Sequence, residues 1–135
     1  MKAKPLPPDE LLRRFDEVVQ GLLVPSESDF PMTPLRWGCE APSPEALRAA
    51  QGGAPAALVE ERTLDAFFAR MVDPAEPDAA ALAEAARYRQ LVELLRAHLE
   101  DLRVYRVGRV SIAVFILGRH ASGEWLGLRT KLVET

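Results

Sequence analysis

The run Val110-Ser111-Ile112-Ala113-Val114-Phe115-Ile116-Leu117 constrains this chain more than any other stretch. β-Branched and aromatic residues dominate it, and Ser111 is its only polar member. Successive side chains of a strand point to opposite faces, so a strand with one wet face alternates apolar and polar residues. This run is apolar in both phases and must be covered on both sides. Helices are therefore expected on each face of a sheet, which gives an α/β chain with helix–sheet–helix layering. The run is also far too short to cross a bilayer as a helix, which takes about 20 residues.

Two neighbouring runs share the two-residue period. Leu102–Val107 and Trp125–Glu134 read as strands, joined to the central one by turns at Gly108-Arg109 and around Ala121-Ser122-Gly123, so the sheet is expected to be largely antiparallel. Upstream the period changes. Leu11, Leu12, Phe15, Val18, Val19, Leu22 and Leu23 recur at three- and four-residue steps, with Asp9 and Glu10 in the first turn and Gly21 and Pro25 bounding the end. A short helix opens at Ser43-Pro44-Glu45 and stops before Gly52-Gly53. Thr63 caps a helix from Leu64 to about Val72, and Asp78 caps the longest one, running to about Glu100 with the stripe Leu82, Ala85, Tyr88, Leu91, Val92, Leu95 and Leu99. Leu35-Arg36-Trp37 and Ala57–Glu61 read as short strands, and Pro25–Pro31 as a stiff, proline-fenced loop. At 135 residues the chain fits one domain, 1–135.

Charge separates along the chain. Residues 1–100 carry 11 Lys and Arg against 17 Asp and Glu, and residues 101–135 carry 6 against 3. The acidic part disfavours direct binding of nucleic acid. Arg103, Arg106 and Arg109 read as the solvated edge of a sheet. A single cysteine, Cys39, excludes an internal disulfide and points to a reducing compartment. No long apolar run follows the basic Met1-Lys2-Ala3-Lys4-Pro5, so no signal peptide or membrane span is expected and the chain is placed in the cytoplasm.

The inventory for catalysis is thin. His98 falls beside the apolar stripe of the long helix and His120 at a strand end near a turn, neither with a carboxylate or thiol partner implied by spacing. Cys39 has no adjacent histidine or helix N-terminus to activate it and reads as a half-buried structural residue. No carboxylate spacing suggests a metal site, and Gly52-Gly53 lacks the following lysine of a phosphate loop. No enzyme activity and no cofactor are expected.

Two features remain. Ser26-Glu27-Ser28-Asp29 puts two carboxylates on a stiff loop, where they are preorganised acceptors able to imitate phosphates. An Asx or Ser turn that bonds its own backbone is the simpler reading of the same residues. The second feature is Lys131-Leu132-Val133-Glu134-Thr135, where the strand pattern is still running at the last residue. A strand-tethered carboxylate, hydroxyl and glutamate are hard oxygen ligands that suit Mg²⁺, whereas a domain cut at its last strand is the plainer account.

Residues 21–31 (Gly-Leu-Leu-Val-Pro-Ser-Glu-Ser-Asp-Phe-Pro), 104–108 (Val-Tyr-Arg-Val-Gly) and 127–135 (Gly-Leu-Arg-Thr-Lys-Leu-Val-Glu-Thr), with the Phe67-Phe68 pair, resemble the nuclease A inhibitor family nearly end to end. The resemblance implies an α/β/α sandwich like that of plant pathogenesis-related proteins of class one. It also implies inhibition of a sugar-non-specific, Mg²⁺-dependent DNA/RNA nuclease of the ββα-metal type, by a chain that is monomeric when free. Thr135 would contact the partner's Mg²⁺ and Glu27 would assist, with Ser28, Asp29 and Glu134 beside them. The chain departs from the family at Asp73-Pro74-Ala75-Glu76-Pro77-Asp78, where the founding type carries Gln and Trp and this sequence has no aromatic anchor. Competing readings are a module of the same fold with a non-nuclease protein partner, an enzyme built on His98, His120 or Cys39, and a nucleic-acid binder using Arg103, Arg106, Arg109, Arg119 and Arg129.

Overall fold

The computed structural model describes residues 6–25, 27–52 and 57–134. Ser26, Gly53 and Thr135, invoked above, lie outside the described residues. Eleven elements follow in order: α1 (Pro8–Val19), β1 (Leu23–Val24), β2 (Phe30–Pro31), β3 (Thr33–Gly38), α2 (Pro44–Gln51), β4 (Val59–Arg62), α3 (Leu64–Val72), α4 (Ala79–His98), β5 (Leu99–Val107), β6 (Ser111–His120) and β7 (Trp125–Val133). Five strands form one antiparallel sheet in the order β3-β7-β6-β5-β4, and β1 and β2 form a small antiparallel pair.

The apolar run becomes the central strand. Every residue of β6 from Ile112 to Gly118 is buried. Its two phases feed two separate clusters. Ile112, Val114 and Ile116 pack with Leu11 and Phe15 of α1, Phe68 of α3, and Leu91 and Leu95 of α4. Ala113, Phe115 and Leu117 face the other way and pack with Leu47 of α2 and with Trp37 and Trp125. The two-sided apolar pattern thus has helical cover on both faces, three helices on one and a single eight-residue helix on the other. Trp37 meets the Phe115 ring edge-on, with centroids 5.8 Å apart, and the Arg129 guanidinium stands 5.2 Å from the centre of the same ring. Aromatic cover therefore supplies much of what α2 does not.

Caps explain the helix starts. Ser43, Thr63 and Asp78 each accept a hydrogen bond from the backbone N–H three residues on, at 3.1, 3.1 and 2.8 Å. Gly52 ends α2 in the left-handed conformation at φ 73°.

Several boundaries differ from expectation. α1 stops at Val19 rather than carrying its stripe through Leu23, because Gly21 takes φ 77° and turns the chain; Leu22 stays buried, while Leu23 enters β1 half-exposed. The proline-fenced segment supplies the turn and second strand of a hairpin, since Leu23 pairs with Pro31 and Val24 with Phe30. α4 ends at His98, and β5 starts at once instead of at Leu102. The helical stripe and the strand share Leu99, and a register shift between Glu100 and Arg103 lets the strand absorb the extra residues. Asp101 sits there at φ 53°, a conformation aspartate tolerates better than most residues.

β5 is an inner strand, not the solvated sheet edge assigned to Arg103, Arg106 and Arg109. Arg103 and Arg109 are exposed, but the Arg106 side chain is only 15% exposed and is tied to Glu134. Cys39 is a free, exposed thiol in the β3–α2 connection and not a half-buried structural one. Its neighbours explain this, for β3 ends at Gly38 and the chain is already leaving the sheet. No described helix is long and apolar enough to cross a membrane.

Candidate functional site

β7 is flanked on one side by β6 along its whole length, from Trp125 opposite Arg119 to Val133 opposite Ser111. On the other side β3 pairs with it only as far as Arg129. Beyond that point the segment between β1 and β3 takes over. The Thr130 hydroxyl donates to the Pro31 carbonyl at 2.9 Å, and the Glu27 N–H donates to the Val133 carbonyl at 3.2 Å. The acidic turn therefore stands in for the missing strand and is sewn to the end of β7. Glu27, Ser28 and Asp29 are all exposed.

Glu134 continues from the same strand and is fixed twice. Its N–H donates to the Val110 carbonyl at 2.9 Å, and its carboxylate accepts from Arg106 at 2.7 Å. Arg106 has one nearly buried face, with Nε enclosed and unpartnered among the described residues. Half of the Glu134 side chain stays open to solvent. The structure thus brings Glu27 and Glu134 to the two sides of Val133, at the same end of the sheet. Thr135, the remaining expected contact, lies outside the described residues.

On its other flank the turn borders a cavity of about 290 Å³, where Asp29 meets Arg70, Met71 and Pro74 from the end of α3 and its connection, and Glu84 and Tyr88 from α4. The Tyr88 hydroxyl donates to the Leu23 carbonyl at 2.6 Å and so ties the hairpin to α4. Burial, then the negative charge of Glu84, pushes this phenol up to about 12; Arg87 pulls the other way and Asp29 adds to the rise. Arg87 spans the same junction, donating to the carbonyls of Val18 and Gln20. Of the charged residues of this cavity, only Asp29 stands out in the sequence as a candidate binding residue. Arg70 of α3 and Glu84 of α4 are grouped with Asp29 only by the approach of three elements.

Both histidines meet at one backbone residue. Leu6 N–H donates to His98 Nδ1 at 3.3 Å, and the Leu6 carbonyl lies 2.6 Å from His120 Nε2. Ser122 N–H donates to His120 Nδ1 at 3.0 Å, so that nitrogen is the acceptor and Nε2 carries the proton given to Leu6. Burial first, then the charges of His120 and Arg14, lowers the pKa of His98. The pair holds the chain entering α1, and Cys39 lies in the connection between β3 and α2. Among the described residues no group of three or more His, Cys, Asp or Glu is placed to hold a metal ion.

These features define a mixed α/β protein with an exposed acidic turn bonded to the end of an interior strand, while its histidines are engaged with backbone elsewhere. A family model described as nuclease A inhibitor-like protein (NuiA) matches residues 9–135. The chain belongs to that family, as the collinear motifs indicated. No curated protein matches it.

Proposed function

We propose that this protein is a non-enzymatic inhibitor that plugs the active site of a sugar-non-specific, Mg²⁺-dependent nuclease. The observation that carries the reading is the hydrogen bond from Glu27 N–H to Val133 O, which braces the acidic turn against the strand leading to Glu134 and Thr135. A nuclease that cuts any sequence grips phosphates with cations and a metal. Glu27 offers such a cation an oxygen pair that cannot be cleaved, through charge-assisted hydrogen bonds. Thr135 supplies an oxygen ligand to the partner's Mg²⁺, by its hydroxyl or terminal carboxylate, in place of water. Ser28, Asp29 and Glu134 frame these two contacts. Because the turn and the strand are held before docking, little conformational entropy is lost on binding.

The covered opposite faces of the sheet support a three-layer α/β/α arrangement of the type found in class-one pathogenesis-related proteins. The free protein is a cytoplasmic monomer in this reading and binds no nucleic acid itself.

The test is inhibition of a purified ββα-metal nuclease by the untagged protein and by a form extended beyond Thr135. The extended form should inhibit poorly. Equal inhibition by the two would sink the metal contact. Glu27→Gln should weaken binding, most at low ionic strength; salt-independent loss would point to a structural role for Glu27 instead.

A further inference from the structure

The cavity beside the acidic turn has a composition that the plug does not use. Its apolar wall is Leu23, Met71 and Pro74, and Leu23 is 48% exposed although it is a large aliphatic residue. Two carboxylates, Asp29 and Glu84, and one cation, Arg70, complete its charged lining. Among the described residues none of these three charges is in an ion pair, so Arg70 does not neutralise the carboxylates internally. The Tyr88 hydroxyl donates its proton to the Leu23 carbonyl and keeps only acceptor capacity towards a ligand.

Each class of occupant can be weighed against that lining. A metal ion is disfavoured, since no group of three potential ligands gathers there. An anion would face two carboxylates against one guanidinium. A drug-sized molecule binds where roughly 70–90% of its surface is buried, and the open mouth of this cavity leaves too much of it in water. A long side chain with an apolar stem and a cationic head matches both the wall and the charge.

We infer that this cavity receives a lysine or arginine side chain of the nuclease, its stem against Leu23, Met71 and Pro74 and its head between Asp29 and Glu84. The inference rests on the inhibitor reading and extends the contact surface from the acidic turn across to α3 and α4. It also gives the aromatic-free segment 73–78 a part in binding, since Pro74 forms one wall in place of the missing anchor.

The charges give opposite signs to two variants. With a purified ββα-metal nuclease and calorimetry, Glu84→Gln should weaken binding about tenfold, the worth of one charge-assisted hydrogen bond. Arg70→Gln should tighten it, because the remaining lining is more acidic. Both residues are exposed on helices, so unfolding midpoints should not move. If Glu27→Gln weakens binding while Glu84→Gln binds like the wild type, the cavity plays no part and the inhibitor reading stands. Weaker binding of Arg70→Gln would likewise overturn the inference. Should the nuclease not bind the wild-type protein, the inhibitor reading fails and N-acetyl-arginine amide becomes the probe. Saturable NMR shifts of the Leu23 and Met71 methyls, lost in Glu84→Gln, would uphold the cation preference. Equal shifts with N-acetyl-glutamine amide would overturn it.

Discussion

Tyr88→Phe isolates the tether between the longest helix and the acidic hairpin. The ring is 2% exposed and lies 6.2 Å from Phe68, so phenylalanine keeps the packing and loses only the hydroxyl. That hydroxyl gives its proton to the Leu23 carbonyl at 2.6 Å. A buried neutral hydrogen bond contributes about 1 kcal/mol net, and more when the abandoned partner is sealed from water. Leu23 is half-exposed, so its carbonyl can find solvent once the hairpin loosens. The expected loss is therefore close to 1 kcal/mol, a fall of about 0.5 M in the urea midpoint at an unchanged slope of about 2 kcal/mol/M. The local effect should exceed the global one: amide exchange in Leu23–Val24 and Phe30 should accelerate more than in β6. High pH provides a second readout. A phenol at about 12 when folded and about 10 when unfolded keeps a proton that the unfolded chain gives up. Stability should then fall as pH rises from 10 towards 12, and the variant should fall less. Tyr105, also raised by burial first and then by Glu61, leaves a residual slope. A variant with wild-type midpoint, or with hairpin exchange unchanged while the whole domain weakens, would refute the tether.

Gly127→Ala should destabilise the fold by about 3 kcal/mol or more, because an added Cβ would stand 1.7 Å from the Ile116 carbonyl oxygen in the sheet centre; a thermal melt within a few degrees of wild type would contradict this. Leu91→Ala, at a fully buried position under the sheet, should cost about 2–5 kcal/mol in urea titration. Acid should weaken the protein through His98. Its folded pKa lies below the unfolded value of about 6.5, so the unfolded chain takes up more protons, and stability is full above that pH and declines as pH falls through it. The urea midpoint should drop between pH 7.5 and 5.5, and His98→Gln, whose amide oxygen can still accept from Leu6 N–H, should flatten the drop.

How much was legible follows from the range of the interactions. The central strand, its hairpin partners and the capped helices are written in local periods and caps, and Ile112–Leu117, Ser43, Thr63 and Asp78 behave as their neighbours dictate. The assignment of three helices to one face and one to the other is not local. It depends on crossings between segments such as α1 and α4, whose individual stripes look alike. The same holds for Arg106, which reads as a solvated strand cation until β6 and β7 bring Glu134 across the sheet to it. Glu27 and Asp29 were conspicuous as carboxylates on a proline-fenced loop, but the partner that orients the loop is a backbone carbonyl, Val133 O, which no side-chain pattern advertises. The histidine pair was hidden for the same reason, since both rings address the backbone of Leu6.

The strand order has a mechanical consequence. β7 lies inside the sheet and is laced to β6 over nine consecutive positions, so a push along its axis is borne in shear by the whole ladder at once. A hairpin tip bearing the same carboxylates would recoil, opening one rung at a time. Load applied near Glu134 is instead passed into the most deeply covered strand of the molecule.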